Sequence, residues 1–186
     1  YKRQHTRRKM VNYKEDEQLK TLNHSCAHVM AQAIKHLYPQ AKFWVGPVVA
    51  EGFYYDVDLG DDVIRDEDIA TIEKEMKKII KKGDKLEYFT LPKDEAIKLM
   101  TERDEPYKVE MIKEHGDDET LSFYQQGDFI EFCAGPHLMS TKQIKAFKLT
   151  SSSGAYWRGD EKNKMLTRIY GTAYNKKADL EEYLEY

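Results

Sequence analysis

The sequence predicts an α+β fold: a mostly antiparallel sheet with helices packed on one side. Three observations carry that expectation. Two stretches, 19–38 and 65–82, place apolar residues at helical intervals, and several short runs rich in Val and aromatics have the composition of strands. No repeat, low-complexity segment or obvious linker interrupts the chain after residue 20. The 186 residues are 40% hydrophobic and 12% aromatic, enough for one substantial core and too aromatic for disorder, despite a charged fraction of 34%.

The elements follow in order. Residues 1–9 hold five Lys and Arg and no acid, and 1–20 reads as a basic tail or linker, an arm able to touch phosphates being the sharper alternative. In LKTLNHSCAHVMAQAIKHLY, Leu22, Cys26, Val29, Met30, Ala33 and Leu37 recur at steps of three and four, the period of a helix with one buried face. Thr21 or Asn23 is its expected cap, and Pro39 its stop. Residues 43–59 suggest a loop punctuated by Gly46-Pro47, then a strand near 52–58. Arg65 to Lys82 has an apolar stripe of Ile69, Ile72, Met76, Ile79 and Ile80, and Asp66, Glu67 and Asp68 favour its positive N-terminal end. Beyond it come a strand at 85–90, a helix at 92–102, a helical turn or two at 107–115, strands at 119–125, 128–133 and 144–150, a loop at 151–164 and a strand at 165–173. The main domain is thus expected over 21–175, with 176–186 the start of a truncated linker helix.

Charge and cysteine content narrow the function. Thirty Lys and Arg against 33 Asp and Glu leave a net charge of −3, so binding of nucleic acid through bulk charge is excluded and any such contact must be local. No apolar stretch of ~18 residues is present, which leaves no membrane span to expect, and the N-terminus lacks the apolar core of a signal peptide. Two cysteines, Cys26 and Cys133, are too few for a disulfide scaffold, and a reducing, cytoplasmic setting is expected.

Chemistry concentrates in two motifs. His24 and His28 in HSCAH lie four apart on the first helix, where side chains project from one face a turn apart. Cys133 and His137 in CAGPH flank Gly135-Pro136, a turn able to face both side chains toward one point. Together they offer three nitrogens and one sulfur, a set suited to zinc, but equally able to position a water and a substrate without metal. The polar run at 151–164, with Tyr156, Trp157, Arg158 and Lys164, is either a loop with aromatic anchors or a clamp for an RNA end.

HSCAH, GFYYDVDL, the YK at 107–108, CAGPH and GAYWRGDEKNKMLTRIYGTA resemble, in order and spacing, the editing domain of bacterial-type threonyl-tRNA synthetases, from about Thr21 to the C-terminus. The two His/Cys motifs alone would also fit the related alanyl-tRNA editing proteins; Pro136 and the GAYWRGD run favour the threonyl branch. The resemblance implies the editing-domain fold and hydrolysis of seryl-tRNA(Thr) to serine and tRNA by a positioned water. Its partners would be the 3′ end of tRNA(Thr) and the rest of a synthetase in cis. His24 would contact the terminal ribose and ester, Lys108 would orient or activate the water, His28, Cys133 and His137 would line the pocket, and Glu131 would meet the substrate amine. A covalent role for Cys133 is conceivable on general grounds. No cofactor is expected to be required, although zinc on His24, His28, Cys133 and His137 is the alternative, as in a zinc-dependent alanyl- or seryl-tRNA deacylase acting in trans. Two positions depart from the family pattern: Glu131 stands where Asp is usual and Ala134 where Arg is common. They motivate a further alternative, a decayed tRNA-binding module. Nothing resembles the ATP-binding motifs of a class II synthetase core, so aminoacylation is not expected.

Overall fold

The computed structural model describes residues 12–176 and Leu184. The basic segment 1–9 and nearly all of 176–186 therefore lie outside the described residues. Helix α1 (Glu17–Leu37) is capped by Asp16, whose carboxylate accepts from the Leu19 backbone N–H at 3.1 Å. It thus begins ahead of the expected Thr21 or Asn23 and crosses the expected boundary at residue 20. Asn23 instead lies buried inside the helix, donating to the carbonyls of Leu19 and Ala173 at 2.8 and 3.1 Å and accepting from Ala173 N–H at 2.9 Å. A buried amide needs such partners, and here they fasten the helix to the sheet.

The larger sheet is antiparallel throughout. Short strands β1 (Lys42–Phe43) and β2 (Val48–Val49) pair with successive parts of β3 (Gly52–Asp58). Strand β8 (Met165–Tyr174) pairs with β3 on its other side, and β7 (Ala146–Tyr156) pairs with β8. Helices α1 and α2 (Asp66–Lys82) bury Leu22, Val29, Ile34, Ile72 and Met76 against Phe53, Tyr55, Val57 and Ile169. The helical stripe read from Arg65 to Lys82 is this buried face.

Three further strands, β4 (Glu87–Pro92), β5 (Thr120–Gln126) and β6 (Phe129–Phe132), form a separate antiparallel sheet. With α3 (Lys93–Glu102) and α4 (Pro106–Lys113) it encloses its own core of Ala96, Met100, Ile112, Leu121 and Phe123. The α+β class and antiparallel pairing are as expected, but the strands divide between two sheets. Pairing partners are set by long-range packing, which local pattern does not encode. The expected loop at 151–164 is also shortened. Ser151–Tyr156 continue β7 past an irregularity between Leu149 and Ser151, paired with Tyr170 to Met165. The strong strand sequence of β8 overrides the weak propensity of SSSG.

The two sheets meet along a seam. Phe129 of β6 sits edge-on to Phe43 at 5.8 Å within the larger core, and Gln126 donates to Gln32 of α1 at 2.8 Å. The Phe43 backbone N–H donates to Glu105, just before α4, at 3.3 Å. No described helix is long and apolar enough to cross a membrane.

Candidate active site

The histidines of α1 face the segment that leaves β6, at the seam. Cys133 Sγ lies 3.3 Å from His24 Nε2 and 3.3 Å from His137 Nε2, and it accepts from the Gly135 N–H at 3.3 Å. The His137 ring packs against His28 and His24 at centroid distances of 4.1 and 4.2 Å. The turn that returns His137 to the thiol needs Gly135: its φ is +78°, and an added Cβ would sit 2.4 Å from the Tyr124 hydroxyl.

Ser25, between the two helix histidines, orients His137. Its hydroxyl donates to the Thr21 carbonyl at 2.9 Å and accepts from Leu138 N–H at 2.9 Å. Its remaining lone pair faces His137 Nδ1 at 3.1 Å, so that nitrogen carries the proton and Nε2 presents a lone pair to the thiol.

Beside this cluster, α4 and β6 supply a buried ion pair. Lys108 and Glu131 are 3% and 2% exposed, and Lys108 Nζ pairs with Glu131 Oε1. The same ammonium donates to the Trp44 carbonyl at 2.8 Å and the Tyr55 hydroxyl at 2.9 Å. Two of its protons are thereby hydrogen-bonded, and its contact with Glu131 Oε1 is a pairing of charges. Tyr55 in turn donates to Glu131 Oε2 at 2.5 Å, and His28 Nε2 lies 3.8 Å from that oxygen.

Burial sets the protonation states. It pushes His24 down to about 4, with Lys20 and Lys108 adding to the effect and a hydrogen bond to the Pro136 carbonyl opposing it. His137 falls to about 3 through burial and the neighbouring His24, and His28 falls well below its ordinary value for the same kinds of reason. Burial raises the Cys133 thiol to about 11 despite the Gly135 N–H. At neutral pH the cluster is three neutral imidazoles and a thiol. A protonated thiol is a poor nucleophile, which weighs against a covalent role for Cys133.

A cavity of about 190 Å³ opens over these groups, bounded by His24, Tyr55, Lys108, Glu131 and Cys133 and roofed by Val45-Gly46-Pro47. That is below the ~300–1,000 Å³ of pockets for drug-sized ligands and suits something nearer one small amino acid. Ligand atoms of His24, His28, Cys133 and His137 lie within 4.8 Å of one another, and neutral imidazoles are the form a metal takes. A tetrahedral zinc would hold N and S about 3.5 Å apart, near the sulfur–nitrogen distances seen here. The donor set therefore fits a zinc ion.

Every site residue expected from the sequence (His24, His28, Lys108, Glu131, Cys133 and His137) is drawn into one place. Sequence reasoning missed Tyr55, Ser25 and the Trp44 carbonyl. Tyr55 and Ser25 fall inside the GFYYDVDL and HSCAH motifs, but alternation along a strand marks a tyrosine only as core.

The class of domain is indicated by comparison with known proteins. Residues 121–170 match the family model of the threonyl and alanyl tRNA synthetase second additional domain. The chain is also similar to threonine–tRNA ligases, and the expected resemblance to their editing domain is borne out. The protein of that name from Acetivibrio thermocellus is 59% identical over 161 residues, covering 87% of this chain and 25% of that protein. The one from Clostridium tetani is 54% identical over 176 residues, 95% of this chain and 27% of its own length. The chain thus spans about a quarter of the curated relatives it matches.

Proposed function

We propose that the domain hydrolyses the ester of seryl-tRNA(Thr), releasing serine and tRNA. The small cavity at the seam carries this reading, because it joins a buried cation–carboxylate pair to neutral imidazoles at a size suited to one amino acid. The chemical need is plain. Serine is threonine less one methyl, a difference worth only ~1–3 kcal/mol in an apolar pocket, so a synthetic site alone admits serine too often. A second site that admits the smaller ester removes it.

Glu131 meets the substrate ammonium, while Lys108, hydrogen-bonded to Trp44 and Tyr55 and paired by charge with Glu131, holds that carboxylate in place. His24, held neutral by burial and lining the cavity, can receive a proton from the attacking water on a ring nitrogen. His28, Cys133 and His137 form the wall that holds the serine side chain. The remainder of a threonyl-tRNA synthetase, in cis, delivers the tRNA.

Incubation with seryl-tRNA(Thr) and threonyl-tRNA(Thr) tests this directly. Faster loss of the seryl ester, reduced by at least tenfold in His24→Ala, is expected; background-level loss of both esters would refute it. The donor geometry favours one second reading, in which His24, His28, Cys133 and His137 hold zinc and the metal supplies a Lewis acid to the same hydrolysis. Stoichiometric zinc in the purified protein, with activity abolished by a chelator, would select it.

A further inference from the structure

One group of side chains next to the site has no part in the chemistry above. Trp44, Tyr107 and Trp157 meet edge to face, with Trp44–Trp157, Trp44–Tyr107 and Tyr107–Trp157 centroid distances of 5.7, 6.4 and 5.4 Å. None is fully buried, so this is not an ordinary core contact. The Arg158 guanidinium covers two of the rings, 5.2 Å from Trp44 and 5.0 Å from Trp157. It is exposed and pairs with Glu114.

The loop that presents these groups is built rather than slack. Trp157 N–H donates to the Lys164 carbonyl at 2.9 Å, and the Asn163 amide donates to the Trp157 carbonyl at 2.9 Å. Tyr107 donates to Asp58 at 2.7 Å, and Lys164 pairs with the same carboxylate at 3.0 Å. Arg158 is held at φ +57°, a left-handed backbone that non-glycine residues adopt at a cost of ~1–2 kcal/mol. The buried indole Nε1–H of Trp157 has no acceptor among the described residues. A strained cation, part-exposed rings and an unmet donor together suit a ligand better than they suit packing.

Position identifies the ligand. The Trp44 carbonyl holds Lys108, Tyr107 precedes Lys108 on α4, and Val45 follows Trp44 into the cavity roof. Trp44 and Tyr107 are thus the chain neighbours of Val45 and Lys108, which line the cavity. We infer that the Trp44–Tyr107–Trp157 cluster with Arg158 is a stacking platform for a base of the single-stranded RNA 3′ end. Trp157 supplies the ring face and Arg158 exchanges Glu114 for a backbone phosphate. Unpaired bases are held in this way, by stacking on aromatic rings beside a cation, and the arrangement explains how a domain of net charge −3 can grip RNA locally. This rests on the esterase reading for the identity of the RNA, but not on hydrolysis occurring.

The chain's two tryptophans both lie in the cluster, so emission excited selectively at tryptophan, away from the tyrosine band, reports on it. Titration of the protein with the unacylated trinucleotide CCA should quench that emission saturably. Trp157→Ala should weaken binding about 5- to 150-fold, the loss expected for one base–aromatic stack, and Trp157→Phe should retain most of it. Arg158→Ala should reduce the slope of log affinity against log salt by about 0.7, the share of one phosphate contact to a single strand. With seryl-tRNA, Trp157→Ala should raise KM and leave kcat within about twofold, with an unchanged urea midpoint confirming the fold. Unaltered fluorescence through millimolar CCA, or a Trp157→Ala variant with wild-type affinity, overturns the platform. Failure of seryl-tRNA hydrolysis while CCA still binds refutes the esterase and leaves the platform standing.

Discussion

Lys108 and Glu131 illustrate how much a single side chain can be asked to hold. A buried pair is weak evidence of stabilisation in itself, but removing one member leaves the other charged and unanswered, at ~3–5 kcal/mol. Lys108→Met is therefore expected to destabilise the domain by about that much, and Glu131→Gln similarly, whereas the double variant should lose less than the sum. Urea unfolding of the four proteins measures the coupling, and simple additivity would contradict the pairing. Gly46 makes a different demand. A Cβ there would lie 2.3 Å from the fully buried Tyr55 ring, so Gly46→Ala must push that ring and the hydroxyl holding Lys108 and Glu131. A loss of ~1–3 kcal/mol in stability is expected, with seryl-tRNA hydrolysis falling further than stability alone explains. At this scale the sequence was most legible. Spacing and motif likeness picked out six residues that do converge, while Tyr55 and Ser25 went unseen because a strand tyrosine and a helix serine carry no chemical signature until their partners are known.

Among the elements, α1 bears the most function, and its start is fixed by polar residues. Asp16→Ala removes the cap and should lower stability by ~1 kcal/mol, read as a lower urea midpoint with an unchanged m-value. Asn23→Ala should cost more, ~1–3 kcal/mol, because it strands the backbone groups of Ala173 that the amide satisfies. The long helices were visible in the sequence because 3.6-residue periodicity is local. The end of β7 was not: Ser151 to Gly154 have poor strand propensity and are ordered only by their partner β8. The helix start was misplaced for a related reason, since α1 begins in a charged stretch before its apolar face does.

For the whole molecule, the division into two sheets was the feature least accessible to sequence, because it depends on which distant strands pair. Its seam also gives the protein an acid–base signature. Burial raises Glu105 from an ordinary 4.5 to about 7, opposed by Lys108, Lys35 and the Phe43 N–H, with Glu131 adding to the rise. A carboxyl with a raised folded pKa binds more protons folded than unfolded, so its contribution is full below about pH 4.5 and is lost as pH rises through about 7. Glu105→Gln should therefore gain stability over the parent by ~2–4 kcal/mol at pH 8 and little at pH 4.5, which melts at the two pH values will check. The same seam has a consequence for fidelity. One half of the molecule owns the imidazoles of α1 and the Tyr55 hydroxyl; the other owns Lys108, Glu131 and the thiol. On the hydrolysis proposed above, neither half alone carries the full set of groups, so a nascent or partly opened chain would be inert toward correctly charged tRNA, and the domain would threaten esters only once it is complete enough to choose between them.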